Sequence, residues 1–275
     1  MTSDSGRRAG LDIHIADVGV RFSTPGGPLE ALAGCSLDVP AGSFTVVIGP
    51  NGSGKSTLLR VIAGLITPAA GAVAIGGAVP RAGDQRVGLA FQQPRLVPWR
   101  SVLDNVALPL ELRGIRSDER RGRAKEALER VGLAGARDLR PRELSGGMAQ
   151  RAGLARALIA DPPVLLLDEP FSALDALTRE TFDAELQRLW IEQGRTIVLV
   201  THSVSEAVTL ADRIVVLTPR PGRVARAVEV DLPRPRTPEL LGDPRAAGLA
   251  AEVRATLSSA HAVELRPWAA QDGAA

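Results

Sequence analysis

The chain has 275 residues and a mass of 28.8 kDa, enough for one or two domains with a buried core. Apolar residues make up 45% and charged residues 23% of it, a balance that excludes wholesale disorder and predicts a folded, water-soluble protein. The formal charge of +2 is too small to indicate nucleic-acid binding. Cys35 is the only cysteine, so no intrachain disulfide can form, and we expect a small buried side chain there.

The first residues of the chain do not resemble a secretion signal. They contain two arginines with no apolar segment behind them, and no uninterrupted apolar run in the sequence approaches 18 residues. We therefore expect a cytoplasmic protein whose contact with a membrane is made through a partner.

The N-terminal quarter of the sequence predicts strands and then a helix. Residues 11–39 are strand-like, and the turn-rich segment 23–28 predicts a hairpin or a meander. Residues 43–48 predict a buried strand that runs into a glycine-rich loop, followed by a helix from about Lys55 to Ala63. The order strand, glycine loop, helix is the beginning of an α/β nucleotide-binding unit.

Helical patterns dominate the middle and the end of the chain. Residues from about 94 to 145 are rich in Arg, Leu and Ala with helical spacing, which predicts a helical insertion. Strand-like runs then return at residues 164–167, 196–200 and 213–217, separated by helical stretches, so we expect parallel strands joined by crossover helices. An Ala-rich helical segment with Leu249, Val253 and Leu257 follows.

Residues 49–56, GPNGSGKS, fit the phosphate-loop pattern GxxxxGK[ST] between a predicted strand and a predicted helix. Its glycines let consecutive backbone N–H groups turn inward around phosphate oxygens, and the helix N-terminus adds partial positive charge. Lys55, one of only two lysines in the chain, would reach the β- and γ-phosphates, and Ser56 would hold Mg²⁺. The predicted nucleotide-binding residues are Gly49, Pro50, Asn51, Gly52, Ser53, Gly54, Lys55, Ser56 and Thr57.

Two carboxylates and a histidine follow the later strands. Asp168 and Glu169 end an apolar run; Asp168 would sit beside Mg²⁺, usually through a water, and Glu169 would polarise the attacking water as a general base. His202 follows the next predicted strand and would reach the γ-phosphate or Glu169, because parallel strand ends converge on one crevice. The alternatives are a solvated acidic turn and a structural histidine.

Residues 144–151, LSGGMAQR, closely resemble the signature motif of ATP-binding cassette (ABC) proteins. Ser145 suits a helix N-cap, and Gly146 and Gly147 expose backbone N–H groups there.

Four other positions match the family in order. Phe22 stands where the family places an adenine-stacking aromatic, usually Tyr, which this chain lacks. Gln92 matches the glutamine that touches Mg²⁺, residues 172–175 (SALD) match the loop that crosses the dimer, and His202 matches the switch histidine. Without the family, Phe22 could be a core residue and Gln92 and Asp175 ordinary surface residues.

The resemblance covers roughly residues 12–235 and implies the fold class, an α/β P-loop NTPase core of ABC type with an antiparallel β subdomain and an inserted α-helical subdomain. It implies an ABC ATP-binding domain at 11–235, with the helical subdomain at about 94–145, and a short C-terminal helical tail at 236–275. The implied catalytic residues are Glu169, His202 and Lys55. The implied nucleotide contacts beyond the phosphate loop are Phe22, Gln92, Ser145, Gly146, Gly147 and Asp175. The implied Mg²⁺ ligands are Ser56, Gln92 and Asp168.

The resemblance also implies an ATPase that uses ATP and Mg²⁺ and forms a head-to-tail dimer with a second copy of itself. In that dimer the signature of one subunit closes on the nucleotide held by the phosphate loop of the other. Two rival classes remain. A P-loop kinase would have no reason to carry the signature at Ser145, and Glu169 with His202 argues against a non-enzymatic nucleotide sensor.

One cassette and no membrane span indicate a separate ATPase subunit that docks on an integral-membrane permease at the cytoplasmic face of the membrane. Only about fifty residues separate Gln92 from Leu144, too few for the coiled coil of DNA-handling cassettes. The permease contact is predicted around residues 92–105, with Pro98 and Trp99 as candidates; Trp99 could instead be core.

Residues 95–99 (RLVPW), 173–179 (ALDALTR) and 218–224 (TPRPGRV) resemble the ATPases of nitrate, sulfonate, taurine and bicarbonate importers. The resemblance implies uptake of a small anion or organosulfur compound such as nitrate, an alkanesulfonate or taurine. A thiamine pyrimidine precursor or another small nutrient is the alternative, because the permease and an extracytoplasmic substrate-binding protein choose the substrate.

Overall fold

The computed structural model describes residues 10–171 and 175–265. The strands are β1 (Ile13–Thr24), β2 (Gly27–Val39), β3 (Phe44–Ile48), β4 (Ala70–Ile75), β5 (Val87–Ala90), β6 (Val164–Asp168), β7 (Thr196–Thr201), β8 (Arg213–Leu217) and β9 (Val224–Glu229). The α-helices are α1 (Lys55–Ile62), α2 (Val102–Leu112), α3 (Ser117–Arg130), α4 (Gly146–Leu158), α5 (Ala176–Gln193), α6 (Val204–Leu210) and α7 (Pro244–Leu265). Short 3₁₀ turns lie at Ala134–Ala136, Pro141–Glu143 and Pro238–Gly242.

A three-stranded antiparallel sheet in the order β2-β1-β4 covers one side of the molecule. β1 and β2 form the predicted hairpin, and Thr24 Oγ1 donates to the Gly27 carbonyl oxygen over 2.7 Å at its turn. Ile13, Ile15, Val18 and Val20 of β1 face the core, in an alternation that shifts at the irregularity between Ile15 and Val18, as expected for a sheet with one solvated face. Cys35 lies buried in this core, as predicted, and burial raises the pKa of its thiol to about 11.

The second sheet has the order β5-β6-β7-β3-β8-β9 and is parallel except for β9, which pairs antiparallel with β8. Every residue of β3, β6 and β7 is buried, which explains why their sequences are mostly apolar; the buried polar exceptions are Thr45, Asp168, Thr196 and Thr201. β7 lies between β6 and β3, so the carboxyl ends of these three strands are neighbours. The phosphate loop follows β3, Asp168 and Glu169 lie at the end of β6, and His202 follows β7, so all of them lie at this edge of the sheet.

Helices α2 and α3 form the insertion that the composition of residues 94–145 predicts. Its first residues are not helical, because the buried Asn105 holds them as a loop: its side-chain oxygen accepts from Val97 N over 2.6 Å, and its Nδ2 donates to Val97 O over 3.1 Å. Leu103 and Leu110 of α2 join the same hydrophobic cluster as Leu128 of α3. The insertion therefore shares the main core with the parallel sheet.

Helix α7 supplies the helical part of the predicted C-terminal tail. Its buried residues Ala246, Ala250 and Val253 belong to the main hydrophobic cluster, so the helix is packed onto the parallel sheet. Residues 266–275, the end of that tail, lie outside the described residues. Across the described part of the chain, no helix is both long and apolar enough to span a lipid bilayer.

Candidate nucleotide-binding and hydrolysis site

The phosphate loop connects β3 to α1 in a conformation that requires glycine. Gly52 and Gly54 have φ angles of 80° and 87°, in the left-handed region. A Cβ atom at Gly54 would lie 2.7 Å from the Ala31 carbonyl oxygen, closer than packing permits. Ser53 Oγ, inside the loop, is buried and has no hydrogen-bond partner within the described chain. The loop is thus a tight backbone turn with an unpaired hydroxyl at its centre.

Lys55 opens α1 and points back into the loop. Its Nζ donates to the carbonyl oxygens of Gly49 over 2.8 Å and Pro50 over 3.0 Å. Burial lowers the pKa of the ammonium group, and the nearby carboxylates of Glu169 and Asp168 oppose that shift. The loop therefore carries one desolvated positive charge at its base, where an anion would be attracted.

Ser56 and Asp168 meet at the end of β6, as the sequence predicts. Ser56 Oγ donates to Asp168 Oδ1 over 2.8 Å. Asp168 is 3% exposed, and burial raises the pKa of its carboxyl group, against the lowering effect of the Ser56 hydrogen bond. A hydroxyl and a carboxylate placed together in this way are the oxygen ligands that Mg²⁺ prefers.

Glu169 lies just beyond β6 with a φ of 44°, a left-handed conformation that is strained for a residue with a side chain. Its backbone N–H donates to the Val200 carbonyl oxygen over 2.9 Å, which fixes it to β7. Gln92 Nε2 donates to its Oε2 over 3.1 Å, and His202 Nδ1 lies 3.5 Å from the same oxygen. The structure therefore brings Glu169 and His202, two of the three predicted catalytic residues, together with Gln92, which the resemblance assigns to Mg²⁺ and nucleotide.

Gln150 is a residue of this site that the sequence analysis did not identify. It is buried on α4, within the signature segment, and its Nε2 donates to the backbone carbonyl oxygens of Gln92 and Glu169, each over 3.2 Å. The buried amide thus links the signature helix to the backbone of Gln92 and Glu169. Its place in the motif gives no indication of these contacts, because both acceptors are backbone atoms from distant segments.

A cavity of about 900 Å³ opens above the phosphate loop. Its lining joins the loop to Gln92, Glu169 and His202. Phe22 and Leu29 line it from the antiparallel sheet; Phe22 is 36% exposed, so its side chain is available to a ligand. The size and the mixture of apolar and charged walls suit a nucleotide.

The signature residues lie elsewhere on the surface. Ser145 caps α4, and its Oγ accepts from Met148 N over 3.2 Å, as predicted. Asp175 caps α5 and accepts from Thr178 N over 2.9 Å. Neither these caps nor Gly146 and Gly147 line the cavity formed by the described residues. Residues 172–174 of the loop predicted to cross the dimer lie outside the described residues.

The residues present fit a magnesium–nucleotide complex. The glycine cradle, the unpaired Ser53 hydroxyl and the desolvated Lys55 offer donors and positive charge to phosphates. The pair Ser56 and Asp168 offers two oxygens to a divalent cation. Chemically, the arrangement can bind a phosphate chain at one end and place a carboxylate, Glu169, beside it.

Comparison with known proteins supports a nucleotide-binding site here. A family model described as ABC transporter matches residues 32–172, just over half of the chain. An aliphatic sulfonates import ATP-binding protein of Pseudomonas putida is 47% identical over 241 residues, covering 88% of this chain and 84% of that protein. A taurine import ATP-binding protein of Burkholderia thailandensis is 45% identical over 217 residues, covering 79% and 84%.

A solved structure is similar in three dimensions. It is the dimeric post-hydrolysis state of an ATP-binding cassette bound to ADP and Pi, with a TM-score of 0.75 and 33% sequence identity over 80% of this chain and 99% of that one. These matches confirm the fold class and the enzyme class that the sequence predicts. The chain therefore belongs to the ABC transporter family, as an ATP-binding cassette ATPase.

Proposed function

We propose that this chain is the ATP-hydrolysing subunit of an importer for taurine or aliphatic sulfonates. The observation that carries the hydrolytic role is the meeting of Glu169, Gln92 and His202 above the phosphate loop. The substrate class is supported by the two import ATP-binding proteins named above, which align with most of this chain.

Nucleotide binding falls to the phosphate loop and to Phe22. Lys55 would contact the β- and γ-phosphates, and the exposed ring of Phe22 would stack on adenine. Ser56, Asp168 and Gln92 would hold Mg²⁺, which neutralises phosphate charge during phosphoryl transfer. The Ser56–Asp168 hydrogen bond holds these two oxygens 2.8 Å apart.

Glu169 acts as the general base of hydrolysis. Its carboxylate accepts the proton of the attacking water, and the hydrogen bond from Gln92 orients it for that purpose. His202 lies beside the same carboxylate oxygen and faces the cavity, so it can contact both Glu169 and the terminal phosphate. Fixing Glu169 in a strained backbone conformation directs its side chain into the cavity.

A second copy of the chain completes each site. The start of α4 exposes backbone N–H donors, and the cap of α5 exposes the Asp175 carboxylate. Both lie outside the lining of the chain's own cavity. In a two-fold dimer both surfaces would face the nucleotide of the partner, so the pair would enclose two nucleotides. The similarity to a dimeric cassette bound to ADP and Pi supports this arrangement.

The permease contact lies beside Gln92. A groove of about 440 Å³ between the Gln92 region and α2 is lined by Phe91, Val97 and Leu108. Trp99, 74% exposed, is a surface residue rather than core, although it and Pro98 lie outside the lining of this groove. A short permease helix seated there would hold the chain at the cytoplasmic face of the membrane. An extracytoplasmic protein would deliver the sulfonate.

The hydrolytic role is tested with Glu169→Gln in purified protein. Loss of the general base should lower ATP turnover by about 10²- to 10⁴-fold while the Kd for MgATP changes little. Glu119→Gln, an exposed carboxylate on α3, is the control and should match wild type. Turnover of Glu169→Gln at the wild-type rate would contradict the assignment of the base.

The substrate is tested by growth of a deletion strain complemented with wild type or Glu169→Gln. Only wild type should restore growth on taurine or an alkanesulfonate as sole sulfur source, while both strains grow on sulfate. Equal growth of the two strains on the organosulfur compounds, in a background without other sulfonate transporters, would reject the substrate class and leave the ATPase assignment intact.

A further inference from the structure

Helix α7 runs toward the phosphate loop. Near its start, Arg245 bonds to the Asp231 carbonyl oxygen, just after β9. About two turns further on, Glu252 pairs with Arg226 in the middle of β9 over 2.5 Å. The helix is therefore antiparallel to β9, and its later turns reach the carboxyl edge of the parallel sheet. There Leu257 and Ser258 line the nucleotide cavity.

The loop between β8 and β9 approaches the same cavity from beside the phosphate loop. Gly222 N donates to Ala31 O over 3.0 Å, and Ala33 N donates to Gly222 O over 3.1 Å, so the loop is fixed to β2. A Cβ atom at Gly222 would lie 2.0 Å from the Ser53 carbonyl oxygen, which shows how closely this backbone is packed against the phosphate loop.

This loop places Arg220 at the phosphate loop. Its Nε lies 3.5 Å from the Gly52 carbonyl oxygen, and the exposed side chain lines the cavity. No carboxylate of the described chain lies within ion-pair distance of it. Lys55, in contrast, is 6% exposed and already donates to two carbonyl oxygens. A triphosphate carries more negative charge than one buried ammonium offsets, and a guanidinium can bind phosphate through two parallel hydrogen bonds.

We propose that Arg220 is a second phosphate-binding cation of the nucleotide site and that the end of α7 forms the adjoining wall. Leu257 packs against the main core and closes the side of the cavity, and Ser258 faces the bound nucleotide. The C-terminal segment is then part of the site that binds nucleoside di- and triphosphates. This inference rests on the nucleotide binding proposed above and adds residues outside the phosphate loop to it.

Arg220→Gln tests the cation, measured by calorimetric titration of the full chain with MgATP and MgADP. We expect both Kd values to rise about three- to tenfold, less than a buried charged hydrogen bond would give, because Arg220 is exposed. Affinity should also depend less on salt concentration. Arg223→Gln, the same charge change on the same loop outside the cavity lining, should bind like wild type.

Ser258→Glu tests the wall, and Ser259→Glu is its matched control. Both are exposed serines on α7, but only Ser258 lines the cavity, while Ser259 Oγ bonds to Thr256 O. A carboxylate at 258 should repel the phosphates and raise the Kd for MgATP several-fold, with no effect at 259.

If Arg220→Gln and Ser258→Glu both unfold like wild type and bind nucleotide with unchanged Kd values, the proposal is overturned. Binding of MgATP by the wild-type chain would still uphold the proposed function in that case. A change in dimer formation without a change in the monomer's Kd would also overturn it. Failure of the wild-type chain itself to bind MgATP would reject the proposed function instead.

Discussion

Gln150 shows how one buried amide can set the position of Glu169, the carboxylate that we propose as the general base. Its two hydrogen bonds to backbone carbonyls hold Gln92 and Glu169 against α4. Because the contacts are to backbone, the residue acts on the chemistry only through the segments that it positions. Loss of these hydrogen bonds should therefore change the rate of ATP turnover more than the affinity for ATP.

We expect Gln150→Ala to lower kcat at least tenfold with little change in KM, and to lower the free energy of unfolding by about 1–3 kcal/mol, because two part-buried carbonyl oxygens lose the hydrogen-bond donor that Gln150 supplies. Steady-state kinetics and chemical denaturation measure the two effects. Gln85→Ala, at an exposed glutamine, is the control. A rise in KM with unchanged kcat would mean that Gln150 serves nucleotide binding rather than the orientation of Glu169.

At the residue scale, the sequence could predict the phosphate loop, Asp168 and Glu169 because each motif is local. A strand, a loop and a helix adjoin in the chain, so the backbone geometry follows from the pattern itself. Arg220 and Ser258 could not be predicted, because the docking of the β8–β9 loop onto β2 and the packing of α7 bring them to the cavity from far along the chain. Pairing between distant segments leaves no mark in a local pattern.

Among the elements, α5 carries a buried acid that the hydrolysis site does not use. Asp183 has its Oδ1 buried without a hydrogen-bond partner in the described chain. Burial, with the neighbouring charges of Glu206 and Glu180, raises the pKa of this carboxyl to about 8, although Arg179 opposes the shift. At neutral pH the carboxyl is therefore largely protonated in the folded protein.

This raised pKa makes stability depend on pH. In the unfolded chain the carboxyl ionises near pH 4, so between about pH 4 and 8 unfolding releases a proton and stability falls as pH rises. Asp183→Asn should remove that slope and be about 1–3 kcal/mol more stable than wild type at pH 8, with a smaller difference at pH 5. Denaturation across this pH range measures it, with Asp138→Asn as the exposed control. A constant difference would contradict the raised pKa.

Strand prediction also shows what a local pattern can and cannot indicate. The apolar runs of β3, β6, β7 and β8 predict these strands, because a central strand buried on both faces needs them. The sequence of β9 (VARAVE) does not predict a strand, because only one of its residues is buried. It becomes a strand by pairing with β8. β4 likewise becomes a strand by pairing with β1, more than fifty residues earlier in the chain.

At the scale of the whole molecule, the separation of the signature from the phosphate loop predicts ATP-dependent association. With MgATP, Glu169→Gln should elute at twice the monomer mass in light-scattering chromatography, because bound nucleotide joins two chains and is not hydrolysed. Without nucleotide it should be monomeric. Lys55→Ala, which loses a phosphate contact, should stay monomeric at the same MgATP concentration. A monomeric Glu169→Gln at saturating MgATP would contradict the shared site.

Because its only native cysteine, Cys35, is buried, the chain suits site-specific labelling that follows the association of two subunits. Cys35 is the only thiol of the chain, it is fully buried on β2, and its raised pKa leaves almost no thiolate at neutral pH. A maleimide probe should therefore react only with a cysteine introduced on the surface, with no need to replace the native residue first. One labelled position per subunit would then report, through its distance to the partner's label, how far the two subunits close on nucleotide.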